Sequence, residues 1–323
     1  MAFNLRRISL VFCLALLFSA ACASSDPALP AKDDPIAVHD ALVGPQGQDF
    51  LSKITTHDWP DDGARAGEAF AWIAREAMSA DPAVSTRAGE AAHALASFLS
   101  GNSSQLLDIS TGWFGLGHTT AGNLNPKLVQ AYAAALVPFQ GALACYPGDV
   151  RGFESRNKDC ASALADARSA LVVLNTDNQA ATAFAEAAYR QMDTYFSRFA
   201  SGVVDPSRRF DEGPVTAGRL LGLLQAASSQ SGIKVRAPLE EASQANYLLA
   251  KALLSSDSNS GIPAEYFSGG TLMSPTEISE KLGADAIAGY DDSLRTYLTN
   301  RNNVESFISH DFYDTYRDVA GAN

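Results

Sequence analysis

Residues 112–153 read GWFGLGHTTAGNLNPKLVQAYAAALVPFQGALACYPGDVRGF, and this stretch decides the fold. Gly112, Gly115 and Gly117 surround Trp113 and Phe114, giving a segment that is large and apolar yet cannot propagate a helix, so a buried connector is predicted. Asn125 and Pro126 then restart the helix, Asn as a cap and Pro with its pre-set φ at the first helical position. Leu128, Val129, Tyr132, Leu136 and Phe139 recur at steps of three and four, which is one apolar helical face. Pro138 lacks the donor needed by the preceding turn and should bend or end that helix.

The same alternation of helical faces and punctuation extends both ways. Upstream, Pro35 opens a short helix carrying Ile36, Val38 and Leu42, and Phe50, Leu51 and Ile54 mark another. Asp62 is the expected cap of a helix running to about Ser79, and Asp81 with Pro82 repeats the device for a helix to Gly101. Downstream, Phe184, Ala188, Met192, Tyr195 and Phe199 belong to the longest apolar stripe, expected to lie centrally. Helices starting at Pro214 and Pro238 follow, the second carrying Leu239, Ala242, Tyr247 and Leu254, with one bent rod as the alternative to two helices. Two more are expected over about Pro275–Asn300 and Asn303–Val319, with Leu282 and Phe312 among their buried positions. Strand alternation never persists beyond a few residues, so the expected fold is all-α, a bundle of eight to ten antiparallel helices. The main domain is assigned to 35–256 and a C-terminal helical hairpin, docked on it, to 271–323.

The N-terminus bears on compartment. Arg6 and Arg7 precede an apolar run, Leu10 to Phe18, too short to span a bilayer, which is the pattern of a signal peptide over 1–22. Ala21 and Ala23 satisfy a small-x-small cleavage site, whereas Ser19, Ala20, Ala21 and Cys22 resemble a lipobox; the second reading is preferred and makes Cys22 the lipidation site. Residues 23–34 are polar, contain Pro and lack periodicity, and are expected to be a flexible tether. Cys145 and Cys160 are the thiols left in the body of the exported chain, fifteen positions apart across a polar turn. A disulfide clamping that loop is expected.

The wording NPKLVQAYAAALVPFQGAL at 125–143 and GFE at 152–154, with HDWPDDGARAGEAFAWI at 57–73 and AGRLLGLL at 217–224, resembles a family of secreted helical proteins from mycobacteria and related actinobacteria. These are described as "TPR repeat region" proteins, and some carry toxin-like C-terminal domains. The resemblance runs from about Val38 to about Leu224. It implies a helical, exported protein and rests on capping and packing signatures, so no catalytic residue carries over from it. The 34-residue tetratricopeptide order of Trp, Leu-Gly, Tyr, Ala, Phe and Pro does not recur at a regular period.

No reactive constellation has the spacing its chemistry requires. His39, His57, His93, His118 and His310 are scattered without metal-ligand spacing, and there is no HExxH, GxSxG or phosphate-binding loop, so no catalytic residue, metal or cofactor is assigned. Acid pairs such as Glu240–Glu241 and Asp291–Asp292 are read as complements to helix starts rather than as a glycosidase pair. A formal charge of −12, deepened by two once Arg6 and Arg7 are removed, repels phosphate backbones and argues against nucleic acid. Trp72, Trp113, Phe114, Tyr132 and Phe139, with Tyr146, could line an apolar pocket if the helices diverge, but core packing is the stronger reading. Phe312, Tyr313 and Tyr316 are a weaker candidate for an exposed contact patch.

The expected function is a non-enzymatic cell-envelope lipoprotein, a helical module on the outer face of the cell membrane that binds an unknown envelope protein. The alternatives are a freely secreted product, a helical carrier of lipid or another small ligand, and a toxin-like or hydrolase module in the segment after Gly270.

Overall fold

A computed structural model describes residues 26–321 apart from 112–115, 147, 149, 154–158, 206–211, 230–231, 255–259 and 302. The chain is 72 % helical with little sheet, an all-α fold as the periodicity predicts. Its helices outnumber the expected eight to ten because several predicted rods are broken.

The N-terminal layer holds α1 (Pro35–Val43), α2 (Gly47–Thr56), α3 (Ala64–Gly67), α4 (Ala71–Glu76), α5 (Pro82–Gly101) and the single turn α6 (Ser103–Leu106). Asp34 caps α1 by accepting from the Ile36 and Ala37 amides, and Asp81 caps α5 by accepting from Ala83. Asp62 does not act as the expected cap. It sits at φ 58°, and the bond to the Arg65 amide comes from Asp61 instead. The helix expected over 62–79 is split by a 3-10 turn, Glu68–Phe70, where Phe70 meets Tyr132 edge-on at 4.8 Å.

Next come β1 (Ile109–Thr111) and β2 (Gly117–Thr119), which pair antiparallel with Thr111 opposite Gly117. The connector expected to be buried, at 112–115, lies outside the described residues; the strands on either side of it pair, and Leu116 is 82 % exposed. Cross-strand pairing satisfies the backbone groups of these two short strands.

The central elements are α7 (Ala121–Leu124), α8 (Pro126–Leu136), α9 (Gln140–Leu143), α10 (Cys160–Leu174), α11 (Asn178–Val204), α12 (Gly213–Ser228) and α13 (Pro238–Leu254). Pro138 ends α8 at Leu136, and a 3-10 turn, Val137–Phe139, leads into α9. The long α11 packs on α8, α12 and α13, and Phe184, Met192, Phe196 and Phe199 along it are all buried. Helices α12 and α13 are separate rods rather than one bent helix.

At the C-terminal end, β3 (Phe267–Ser268) and β4 (Thr271–Leu272) form a second short hairpin, followed by α14 (Pro275–Leu282), α15 (Ala286–Thr299) and α16 (Tyr313–Ala320). Ser274 and Glu277 form a capping box on α14. Gly283, at φ 93°, interrupts the rod expected over 275–300, and a π-helical turn, Phe307–Phe312, leads into α16. Helix α16 lies on α12, where Gly218 and Gly222 leave room for its backbone: a Cβ on Gly218 would stand 2.5 Å from the Phe312 carbonyl oxygen. Phe307 and Phe312 pack on Phe199 and Phe196 of α11. Phe312 and Tyr316 are therefore buried, and the contact patch suggested for them is not exposed. In the other direction, Leu282, assigned to a buried position, is 45 % exposed, and Ile36 and Leu239, apolar residues of the helices starting at Pro35 and Pro238, are 55 % and 66 % exposed.

Candidate functional site

The bridge between Cys145 and Cys160 is present, with Cα atoms 5.7 Å apart. Helix α9 stops in a Schellman turn: the Tyr146 amide donates to the Gly141 carbonyl at 2.7 Å, and Cys145 occupies the left-handed position at φ 62°. Within the bridged loop, Arg151 and Gly152 lie against α5. A Cβ on Gly89 would fall 1.8 Å from the Arg151 carbonyl oxygen, and Gly152 at φ 76° faces Thr86 across the same contact. Phe153 stacks on Phe139 at 5.3 Å and meets His93 edge-on. The clamp thus joins the end of α9 to the start of α10, and Arg151, Gly152 and Phe153 between them pack on α5.

Of the aromatic residues grouped by sequence, Trp72, Tyr132 and Phe139 are fully buried, on α4, on α8 and in the turn after it. Tyr132 donates its hydroxyl proton to Thr55, whose own hydroxyl donates to the Leu51 carbonyl. Burial raises the Tyr132 phenol well above its ordinary pKa. Trp113 and Phe114, like Cys22, lie outside the described residues.

Asn125 does not cap α8. Its buried side chain reaches away from its own helix, donating to the carbonyls of Thr55 (3.0 Å) and His57 (2.7 Å) and accepting from the Trp59 amide (3.4 Å). The amide of Lys127, near the open start of α8, is satisfied by the Asp62 carbonyl at 3.0 Å. Asn125 thus ties the end of α2 to the start of α8, and Trp59 completes the joint by donating its indole proton to Ile54.

The N-terminal segment is engaged. Asp26 accepts from Arg65 at 2.5 Å and pairs with His57 at 3.2 Å, and both bonds hold its carboxyl below the ordinary carboxylate range. Lys32 pairs with Glu68 at 2.8 Å, and Leu29 packs on the core. Helix α1 follows directly. Val38 and Leu42 point inward, while Ile36 and Val43 stand 55 % and 45 % exposed on the opposite face. His39 lies between them, bonded to Asp40 and to Glu90 of α5 at 3.0 Å each, so the apolar edge has an acidic rim. This edge is the candidate interaction surface.

Residues 30–72 match the family model for a TPR repeat domain. The match covers α1, α2, α3 and the first residues of α4, and supports a TPR-like helical protein, a class of protein-interaction module. Compared with curated proteins and with solved structures, the chain has no match.

One polar cluster escaped the sequence reading. Glu240 behaves as a helix-start acid, accepting from the Ala237 amide, but Glu241 is only 1 % exposed. Its Oε1 accepts from Arg236 at 3.3 Å, and its Oε2 has no partner. Arg236 also lies 4.1 Å above the Tyr189 ring and 3.7 Å from Glu186, both on α11. Burial, only partly offset by Arg236, pushes the Glu241 carboxyl up to about 7. Asp193 on α11 and Asp291 on α15 are raised by burial too, Asp291 while accepting from Ser243 of α13 at 2.6 Å. The spacing of Glu241, Ala245 and Leu249 at steps of four places Glu241 on the apolar stripe, a signal that could have marked it.

Among the described residues no group of three or more His, Cys, Asp or Glu is arranged to hold a metal ion, and no helix is long and apolar enough to cross a membrane.

Proposed function

We propose that the chain is a non-enzymatic protein-interaction module of the cell envelope, exported by residues 1–22 and held on the outer face of the membrane through a lipidated Cys22. The observation that carries the interaction reading is the exposed Ile36–Val43 edge of α1, inside the segment that matches a TPR repeat domain. Its acidic rim of Asp40 and Glu90 fits a partner protein presenting apolar side chains flanked by cations. The export reading is supported by the lipobox-like residues 19–22.

A photo-crosslinking amino acid placed at Ile36 in intact cells tests the interaction. One recurrent protein adduct should form, disappear with Val43→Asp, and be absent when the probe stands at Leu239, which is more exposed than Ile36 but outside the matched segment. Adducts independent of position would refute the edge as a site. The mass of the mature N-terminus tests anchoring, since an unmodified chain starting at Ser24 eliminates it.

A further inference from the structure

The tether assigned from sequence runs over residues 23–34, which would let the body roam tens of ångströms from its anchor. The contacts of Asp26, Leu29 and Lys32 make the leash far shorter. Asp26 is held by Arg65 and His57, three residues on Leu29 packs on the core, and three further on Lys32 holds Glu68. Arg65 belongs to α3 and Glu68 follows it directly, so both ion pairs fix the segment to one face. Four residue steps separate Cys22 from Asp26, at most about 14 Å of fully extended chain.

We propose that the α3 face, around Ala64, Arg65 and Glu68, is apposed to the lipid surface that holds the anchor. This inference rests on the lipidation of Cys22 proposed above. The apposition is imposed by covalent reach rather than by charge. Arg65 and Lys32, cations on this face, are each paired with a carboxylate of the protein, and the chain as a whole is acidic, so headgroup attraction does not orient it. Helix α15 is four packing steps removed from α3: α3 packs on α8, α8 on α11, α11 on α13 and α13 on α15. Four ordinary interaxial spacings set an upper limit of about 40 Å on their separation.

The test uses the full mature protein in vesicles of phosphatidylethanolamine and phosphatidylglycerol carrying an energy-transfer acceptor on some headgroups. A donor dye is attached to Ala64→Cys or to Thr296→Cys, exposed positions on α3 and α15, with the native bridge left oxidised. Transfer should be several-fold stronger from position 64 than from 296. Inserting twelve Gly and Ser residues between Cys22 and Asp26 should bring the two values together while leaving the protein vesicle-bound. Equal transfer with the native leash, in protein whose mass shows a lipidated Cys22, overturns the apposition and leaves anchoring intact. An unlipidated N-terminus overturns both.

Discussion

Two residues show how far local sequence rules reach. The pair Asn125–Pro126 reads as a cap and a helix start, and Pro126 does open α8, yet the Asn side chain serves α2 instead. Asn125→Ala would leave two carbonyls and one amide in a dry joint without partners. A loss of about 2–4 kcal/mol is expected by denaturant titration. Asn125→Asp should lose at least as much, because a carboxylate would face two carbonyl oxygens it cannot donate to. Cys145 makes a related point. A left-handed residue that is not Gly costs about 1 kcal/mol, and removing the bridge costs about 3 kcal/mol in the chain-entropy picture. Cys145→Gly should therefore be about 1 kcal/mol more stable than Cys145→Ala, with both below the native chain, and paired urea titrations would show it. Equal stabilities would mean that the φ of 62° carries no strain.

At the level of elements, α13 is held by seams rich in acid. Toward α11 the groups near Glu241 are Glu186, Asp193 and Tyr189, with Arg236 entering from the preceding segment and Glu240 on its own helix. The folded Glu241 carboxyl titrates at about 7 against an ordinary 4.5, so the folded chain keeps a proton that the unfolded chain releases. The stability this group contributes is full below about pH 4.5, falls as pH rises through 7, and is then flat, a loss of about 3 kcal/mol. Asp193 and Asp291 act in the same direction. Thermal unfolding should thus show a falling Tm between pH 5 and pH 8, and Glu241→Gln should flatten much of that slope and raise Tm at pH 8. An unchanged slope would mean that the carboxyl is not protonated in the fold. The α12–α16 contact makes a separate prediction. Gly218→Val would drive side-chain atoms into the Phe312 carbonyl, so a loss of more than about 2 kcal/mol is expected, whereas Gly101→Val in the last turn of α5 meets no neighbour within 4 Å and has no left-handed φ, and should lose less than half as much.

For the whole molecule, the last fifty residues cover apolar surface that the rest of the chain cannot hide. Phe307 and Phe312 sit on Phe199 and Phe196, and α16 fills the groove at Gly218 and Gly222. Deleting residues 271–323 should therefore yield a chain that binds a hydrophobic dye and aggregates, as followed by dye fluorescence and light scattering. A truncated protein that stays monomeric and unfolds as cooperatively as the full chain would show that these residues are an appendage.

Much of this was legible in the sequence, for local reasons. Steps of three and four in Leu128, Val129, Tyr132 and Leu136 require one helical face, Asp34, Asp81 and Asp177 can satisfy open helix starts without any distant partner, and two cysteines fifteen apart across a polar turn are close enough to bridge. These features fix the all-α class and the clamp. What the sequence could not determine was which partner each polar group would meet once helices packed. Asn125 had a local amide and a distant pair of carbonyls to choose from, Glu241 had solvent or the α11 seam, and Ile36 had the core or the surface. Periodicity finds a face but not what lies opposite it, and burial, pairing and proton affinity depend on that opposite surface, which only the tertiary structure supplies.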